Sequence, residues 1–151
     1  MSIDVAVRIE NYDQLHAMFK KAPARMTEEI GTAVERILIK LENDAKKEAP
    51  VNKQSGGGSL RQSIRRFMIG PARGKIEVGS NYGVFVHEGT RPHTIRIVNK
   101  KVLANKRSGQ FFGRIVNHPG TRANPFLQRA VDMNRSFINE EFAKAVERVL
   151  K

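Results

Sequence analysis

The chain of 151 residues has no cysteine and no tryptophan. Without cysteine there is no disulfide framework, no zinc–thiolate site and no thiol nucleophile. No stretch approaches the roughly eighteen apolar residues of a membrane-spanning helix. Met1 to Glu10 carries Asp4 and Glu10 and no long apolar run, so no secretory leader is expected and the chain is expected to be made in the cytoplasm. Acid is scarce in one region. Between Val51 and Arg122 fourteen lysines and arginines meet two carboxylates, Glu77 and Glu88. That region accounts for the whole formal net charge of +12, because the flanks hold thirteen basic and thirteen acidic residues. A regional charge of one sign implies an acidic partner: nucleic acid, an acidic protein surface or a ring of neighbouring subunits. The plain alternative is a solvated basic face.

A chain of this length buries roughly 68–70% of its unfolded surface and needs no metal or disulfide to fold. Ile3, Val5, Val7 and Ile9 alternate as in a half-buried strand. Asn11 to Lys21 reads as a short helix, and Pro23 ends it. From Arg25 to Glu48, Met26, Ile30, Ala33, Val34, Ile37, Leu38, Leu41 and Ala45 recur at spacings of three and four, which predicts a long helix. Glu28 and Glu29 are expected near its positive end, Lys46 and Lys47 at its negative end, and Pro50 beyond it. Residues 51–59 centre on Gly56, Gly57 and Gly58 and are expected to be a mobile loop. Ser59 to Arg66 reads as a helical turn leading into a strand through Met68. Further short strands are expected at Lys75–Val78, Thr94–Val98 and Arg114–Val116, with a short helix or buried turn at Tyr82–Glu88. Residues 99–113 are expected to be a second mobile segment, with a loop or hairpin tip from Val102 to Phe112. A last helix is expected from Pro125 to Leu150, capped by Asn124. The pattern predicts one α+β domain over residues 1–151. In it a small antiparallel sheet packs against a long helix of the N-terminal half and a long C-terminal helix.

Catalytic signatures are absent. His87-Glu88 begins like a zinc-peptidase helix, but Arg91 stands where the second histidine belongs, and Gly89 and Pro92 would break that helix. His87, His93 and His118 are therefore read as surface or packing residues, and no metal or cofactor is expected. The glycine loop lacks the Lys-Ser or Lys-Thr of a phosphate loop. Ser59 and Ser63 have no base arranged beside them. The basic region lacks the clustered acids that hold magnesium in nucleases. No enzyme activity is expected. Arg91, Arg96, Lys100, Lys101, Lys106, Arg107, Arg114 and Arg122 are the candidate contacts to DNA or an acidic partner, with Phe111 and Phe112 beside them.

Three phrases occur in order: Ala49-Pro50 with a polar glycine loop and Ser59-Leu60-Arg61-Gln62-Ser63-Ile64; Tyr82-Gly83-Val84-Phe85-Val86-His87-Glu88-Gly89-Thr90; and His118-Pro119-Gly120-Thr121-Arg122-Ala123-Asn124-Pro125-Phe126-Leu127 before a terminal helix. From about Arg25 onward the chain resembles the tail-completion or head–tail joining family of long-tailed bacteriophages and prophages. Gly83 stands where that family commonly has alanine, and the segment from Asn99 to Arg114 is variable in length there. The resemblance implies a structural virion protein of the tail and neck, a ring-forming subunit with six copies the natural number. Its neighbours would be tail-tube, tail-terminator and head-connector proteins. Gly89, Thr90, Pro119, Gly120 and Pro125 read as fold-defining corners. A DNA-binding protein blind to sequence is the alternative.

Overall fold

The computed structural model describes residues 3–5, 24–51, 57–98, 103–105 and 109–150. The helix expected over Asn11–Lys21, the strand beyond Val5 and most of the glycine-rich loop lie outside them. The described residues divide into two compact units, Met1–Val84 with Pro125–Lys151, and Phe85–Asn124. The class is α+β, with a small antiparallel sheet against long helices.

The first unit is organised by α1 (Ala24–Glu48). Apolar residues every three or four positions give a helix one apolar stripe. All eight members expected for that stripe, Met26 through Ala45, are buried. The helix starts a full turn before Glu28, so no acid lies in its first turn, and the expected pairing of Glu28 and Glu29 with the helix dipole is not realised there. Lys46 and Lys47 do occupy the last turn. The final carbonyls of a helix lack intrahelical donors. Here Arg61 supplies two, donating to Ala49 O at 3.0 Å and Lys47 O at 3.1 Å.

Arg61 belongs to α2 (Ser59–Ser63), which leads directly into β2 (Ile64–Gly70). The chain then returns as β3 (Arg73–Val78). β1 (Ile3–Val5) pairs with the other side of β3, giving the antiparallel order β1-β3-β2. Side chains alternate across a strand. Ile76 and Val78 of β3 and Ile64 of β2 therefore share the buried face, while Arg65, Phe67 and Ile69 are exposed. Helix α1 covers that buried face closely. A Cβ at Gly31 would lie 2.3 Å from the carbonyl oxygen of Pro71 in the β2–β3 turn, so only glycine fits at this crossing.

The single C-terminal helix expected from Pro125 is two, α4 (Phe126–Met133) and α5 (Arg135–Leu150), separated at Asn134. The reason is a buried side chain. The Asn134 amide donates to Ala130 O at 2.8 Å, occupying the carbonyl that its own backbone N–H would bond in a regular helix. That N–H goes instead to Val131 O, one residue nearer, at 3.0 Å. The same amide donates to the Asp44 carboxylate of α1 at 2.9 Å. Asp44 also accepts from Lys40 at 2.6 Å and Lys47 at 3.2 Å. The Lys40 bond, with help from Asn134 and Lys47 against the effect of burial, lowers the Asp44 pKa from 3.8 to about 2.

Phe126, Leu127 and Ala130 of α4 and Ala145 of α5 complete the core. Ion pairs join Arg129 to Glu48 at 2.7 Å, Arg148 to Glu29 at 3.4 Å and Arg36 to Glu141 at 3.5 Å. The cap of α4 is Pro125 rather than the expected Asn124. Its carbonyl accepts from the Arg129 N–H at 3.0 Å, and the cap residue itself makes no side-chain cap bond. No helix among the described residues is long and apolar enough to cross a membrane.

Removing a buried hydrogen-bonding partner leaves groups unsatisfied. Asn134→Ala should therefore lower unfolding free energy by about 2 kcal/mol in urea titration. Met133→Ala, one residue earlier and 59% exposed, should leave it nearly unchanged.

Candidate functional site

The unit Phe85–Asn124 is built on one antiparallel pairing. β4 (His93–Arg96) lies against β7 (Ile115–His118), with His93 opposite His118 and Arg96 opposite Ile115. The same register continues at both ends. The Ile97 N–H donates to Arg114 O at 3.3 Å, and Thr90 and Thr121 exchange backbone hydrogen bonds of 2.9 and 3.1 Å. Between the ladder and the threonine bridge, the register sets Pro92 opposite Pro119. Proline has no N–H, which accounts for the gap. β5 (Leu103–Asn105) and β6 (Gln110–Gly113) form a further antiparallel pair with an irregularity between Leu103 and Ala104. The hairpin tip expected between 102 and 112 thus consists of two short strands. Residues 99–102 and 106–108 lie outside the described residues. The strands therefore divide among three sheets rather than entering one.

The expected corners acquire a specific reason. Gly89 has φ +76° and Gly120 φ +88°, values that residues with a Cβ resist. A Cβ at Gly89 would lie 2.5 Å from Thr121 O, and one at Gly120 would lie 2.3 Å from Thr90 O. Each glycine therefore protects the bridge made by the threonine of the other corner. The sequence carries a signal for this that the motif reading did not use. Gly-Thr-Arg occurs twice, at 89–91 and 120–122, and the two copies pair with each other.

The ladder also joins His93 and His118, whose rings stack at 5.1 Å between centroids. His93 Nδ1 donates to Arg91 O at 2.9 Å. His118 Nδ1 accepts from the Gly120 N–H at 3.0 Å, which ties the ring to the second corner. His87 lies apart from this pair in sequence, in α3 (Gly83–Glu88). Among the described residues no group of three or more His, Cys, Asp or Glu is placed to hold a metal ion.

Of the eight candidate contact residues, Arg91, Arg96, Arg114 and Arg122 are described, and all four are exposed. None forms an ion pair with a described residue. Arg91 and Arg122 flank the threonine bridge, while Arg96 and Arg114 stand at the far end of the β4–β7 ladder, roughly 20 Å from that bridge at strand spacing. Lys100, Lys101, Lys106 and Arg107 lie outside the described residues. Apolar side chains accompany the arginines. Val98 is 91% exposed, Phe111 72%, Phe85 and Ile115 56% and Phe112 44%. None of residues 85–98 or 109–124 is buried.

No family model matches this chain, and neither a curated protein nor a solved structure does.

At Gly120 a methyl group meets both a disfavoured φ and a backbone oxygen. Gly120→Ala should abolish the Thr90–Thr121 bridge, read as rapid hydrogen exchange at both threonine amides. The amides of α1 should keep their protection.

Proposed function

We propose that this chain is a structural protein of a long-tailed phage virion, a ring-forming subunit that completes the tail and joins it to the head. The observation that carries the reading is the character of Phe85–Asn124. It has eight lysines and arginines against the single acid Glu88, five exposed large apolar side chains and no buried residue among 85–98 and 109–124. A two-stranded ladder is marginal by itself in water. Exposed apolar side chains beside uncompensated charge mark a surface that is covered in use. The three phrases that resemble the tail-completion family supply the assembly. Leu60 and Ile64 of the first phrase and Phe126 and Leu127 of the third are core residues, so these phrases double as packing signals.

In this reading the basic ladder and the β5–β6 hairpin meet acidic neighbours at the tail tube, the tail terminator or the head connector. A ring needs heterologous contacts, in which one patch meets a different one on the next copy. The charge-balanced flanks and the basic middle are two such unlike surfaces. Deleting the gene from the phage or prophage and imaging the induced lysate by negative-stain electron microscopy should give filled heads beside separate tails. Normal infectious particles would contradict the role.

Four exposed arginines without carboxylate partners among the described residues also favour a second reading, binding to DNA without sequence preference. Seven phosphate contacts would give a slope near −6 for log affinity against log salt, at about 0.9 per contact. A flat salt response, or no binding in low salt, removes this reading.

A further inference from the structure

We propose that copies of this chain join edge to edge, the free edge of β2 in one copy receiving β1 of the next; this rests on the ring-forming reading above. Both strands are edges of the three-stranded sheet, and among the described residues neither has a strand on its far side. The hydrogen-bond phase of β2 is set by Gly79, whose N–H donates to Ser63 O at 3.0 Å. Hydrogen-bonded positions alternate along an antiparallel pair. Arg65 and Phe67 therefore bond inward to β3, and the N–H and C=O of Arg66 and Met68 turn to the open edge. An unpaired row of this kind is a template for another strand.

The edge also has a floor. A groove of about 640 Å³ beside β2 is lined by Glu35, Leu38, Glu42, Gln62, Arg66 and Met68, among others. Its form is held by the Arg66–Glu42 ion pair at 2.6 Å between strand and helix. Arg65 through Ile69 are all exposed, with Phe67 at 42% and Met68 at 43%. A strand added here places every second side chain over Leu38 and Met68, the arrangement by which extended segments gain both backbone bonds and side-chain pockets.

Charge selects the occupant. Pairing β2 with β2 of another copy about Arg65 or Arg66 would set arginine opposite arginine, and like charges across strands are destabilising. β1 has the sequence Ile3-Asp4-Val5, two aliphatic residues around one acid. Direction agrees as well. β1 and β2 both run antiparallel to β3, so they run parallel to each other, and β1 can enter beside β2 of a neighbour without reversing it. Each addition leaves one fresh β2 edge and one fresh β1 edge, a heterologous contact that closes into a ring when the rotation between copies closes.

Two variants of the full chain test this. Met68→Pro removes an edge-facing N–H and no ladder bond, a place where strands tolerate proline. The second variant lacks Ser2 to Val5 and so has no β1. Sedimentation of the parent chain over rising concentration should show self-association, and each variant alone should associate at least about tenfold more weakly, the order of one lost edge bond. Mixed together, the two should form a one-to-one dimer, because one supplies β1 and the other β2. This complementation also shows that both remain folded. A parent that stays monomeric throughout, a variant that associates like the parent, or a mixture that does not pair overturns the proposal. The gene-deletion phenotype reports on the virion role separately, so separated heads and tails together with an unpaired mixture would reject the edge contact alone.

Discussion

The contact between Asp44 and Asn134 decides how the first unit is put together. A buried carboxylate is tolerated only when its oxygens are well bonded. Asp44 meets that condition with two lysines from its own helix and one amide from the C-terminal segment. The amide is free to reach it because the C-terminal segment departs from regular helix at that residue. One interaction therefore sets both where α4 ends and where α5 begins against α1. Phe126 and Leu127 on one side of the break and Ala145 on the other can then reach the same core. The depressed pKa keeps Asp44 charged well below neutrality, so this tie holds across ordinary pH.

Around it the ion pairs are arranged by the same helix. Glu42 turns to β2 through Arg66, Glu48 to α4 through Arg129, and Arg36 and Glu29 to α5. Burial pushes the Glu42 carboxyl up, but Lys46 and Arg66 outweigh it and leave the pKa below its ordinary value. The first unit thus has an apolar interior with Glu42, Asp44 and Asn134 hydrogen-bonded at its margin. The unit Phe85–Asn124 contrasts with it. Its described residues are held by backbone pairing, two glycine corners and the stacked His93–His118 rings, and none of residues 85–98 or 109–124 is buried. That contrast underlies the functional proposal.

Period was the legible part of the sequence. The stripe of α1 was readable residue by residue because three-four spacing has one geometric meaning. The strand expected at Lys75–Val78 was readable, but Gly70 to Gly74 read as the turn before it, whereas Met68 pairs with Gly74 and Gly70 with Arg73, so the strand begins at Arg73. The break at Asn134 was not, since its cause is Asp44, ninety residues away in sequence. The start of α1 was placed late because Ala24 and Arg25 carry no capping signal. The corners at Gly89 and Gly120 were recognised as corners, but their mutual pairing was hidden in the repeat of Gly-Thr-Arg. The candidate basic residues were visible as a charge cluster. Charge alone carries no register, so the grouping of Arg91 with Arg122 and of Arg96 with Arg114 required the ladder.

The central claim is that this chain is a stoichiometric part of a virion. Quantitative mass spectrometry of purified, nuclease-treated particles tests it most directly. The account predicts a small, fixed number of copies per particle, constant between preparations and resistant to high-salt washing. Finding no copies in infectious particles would contradict it.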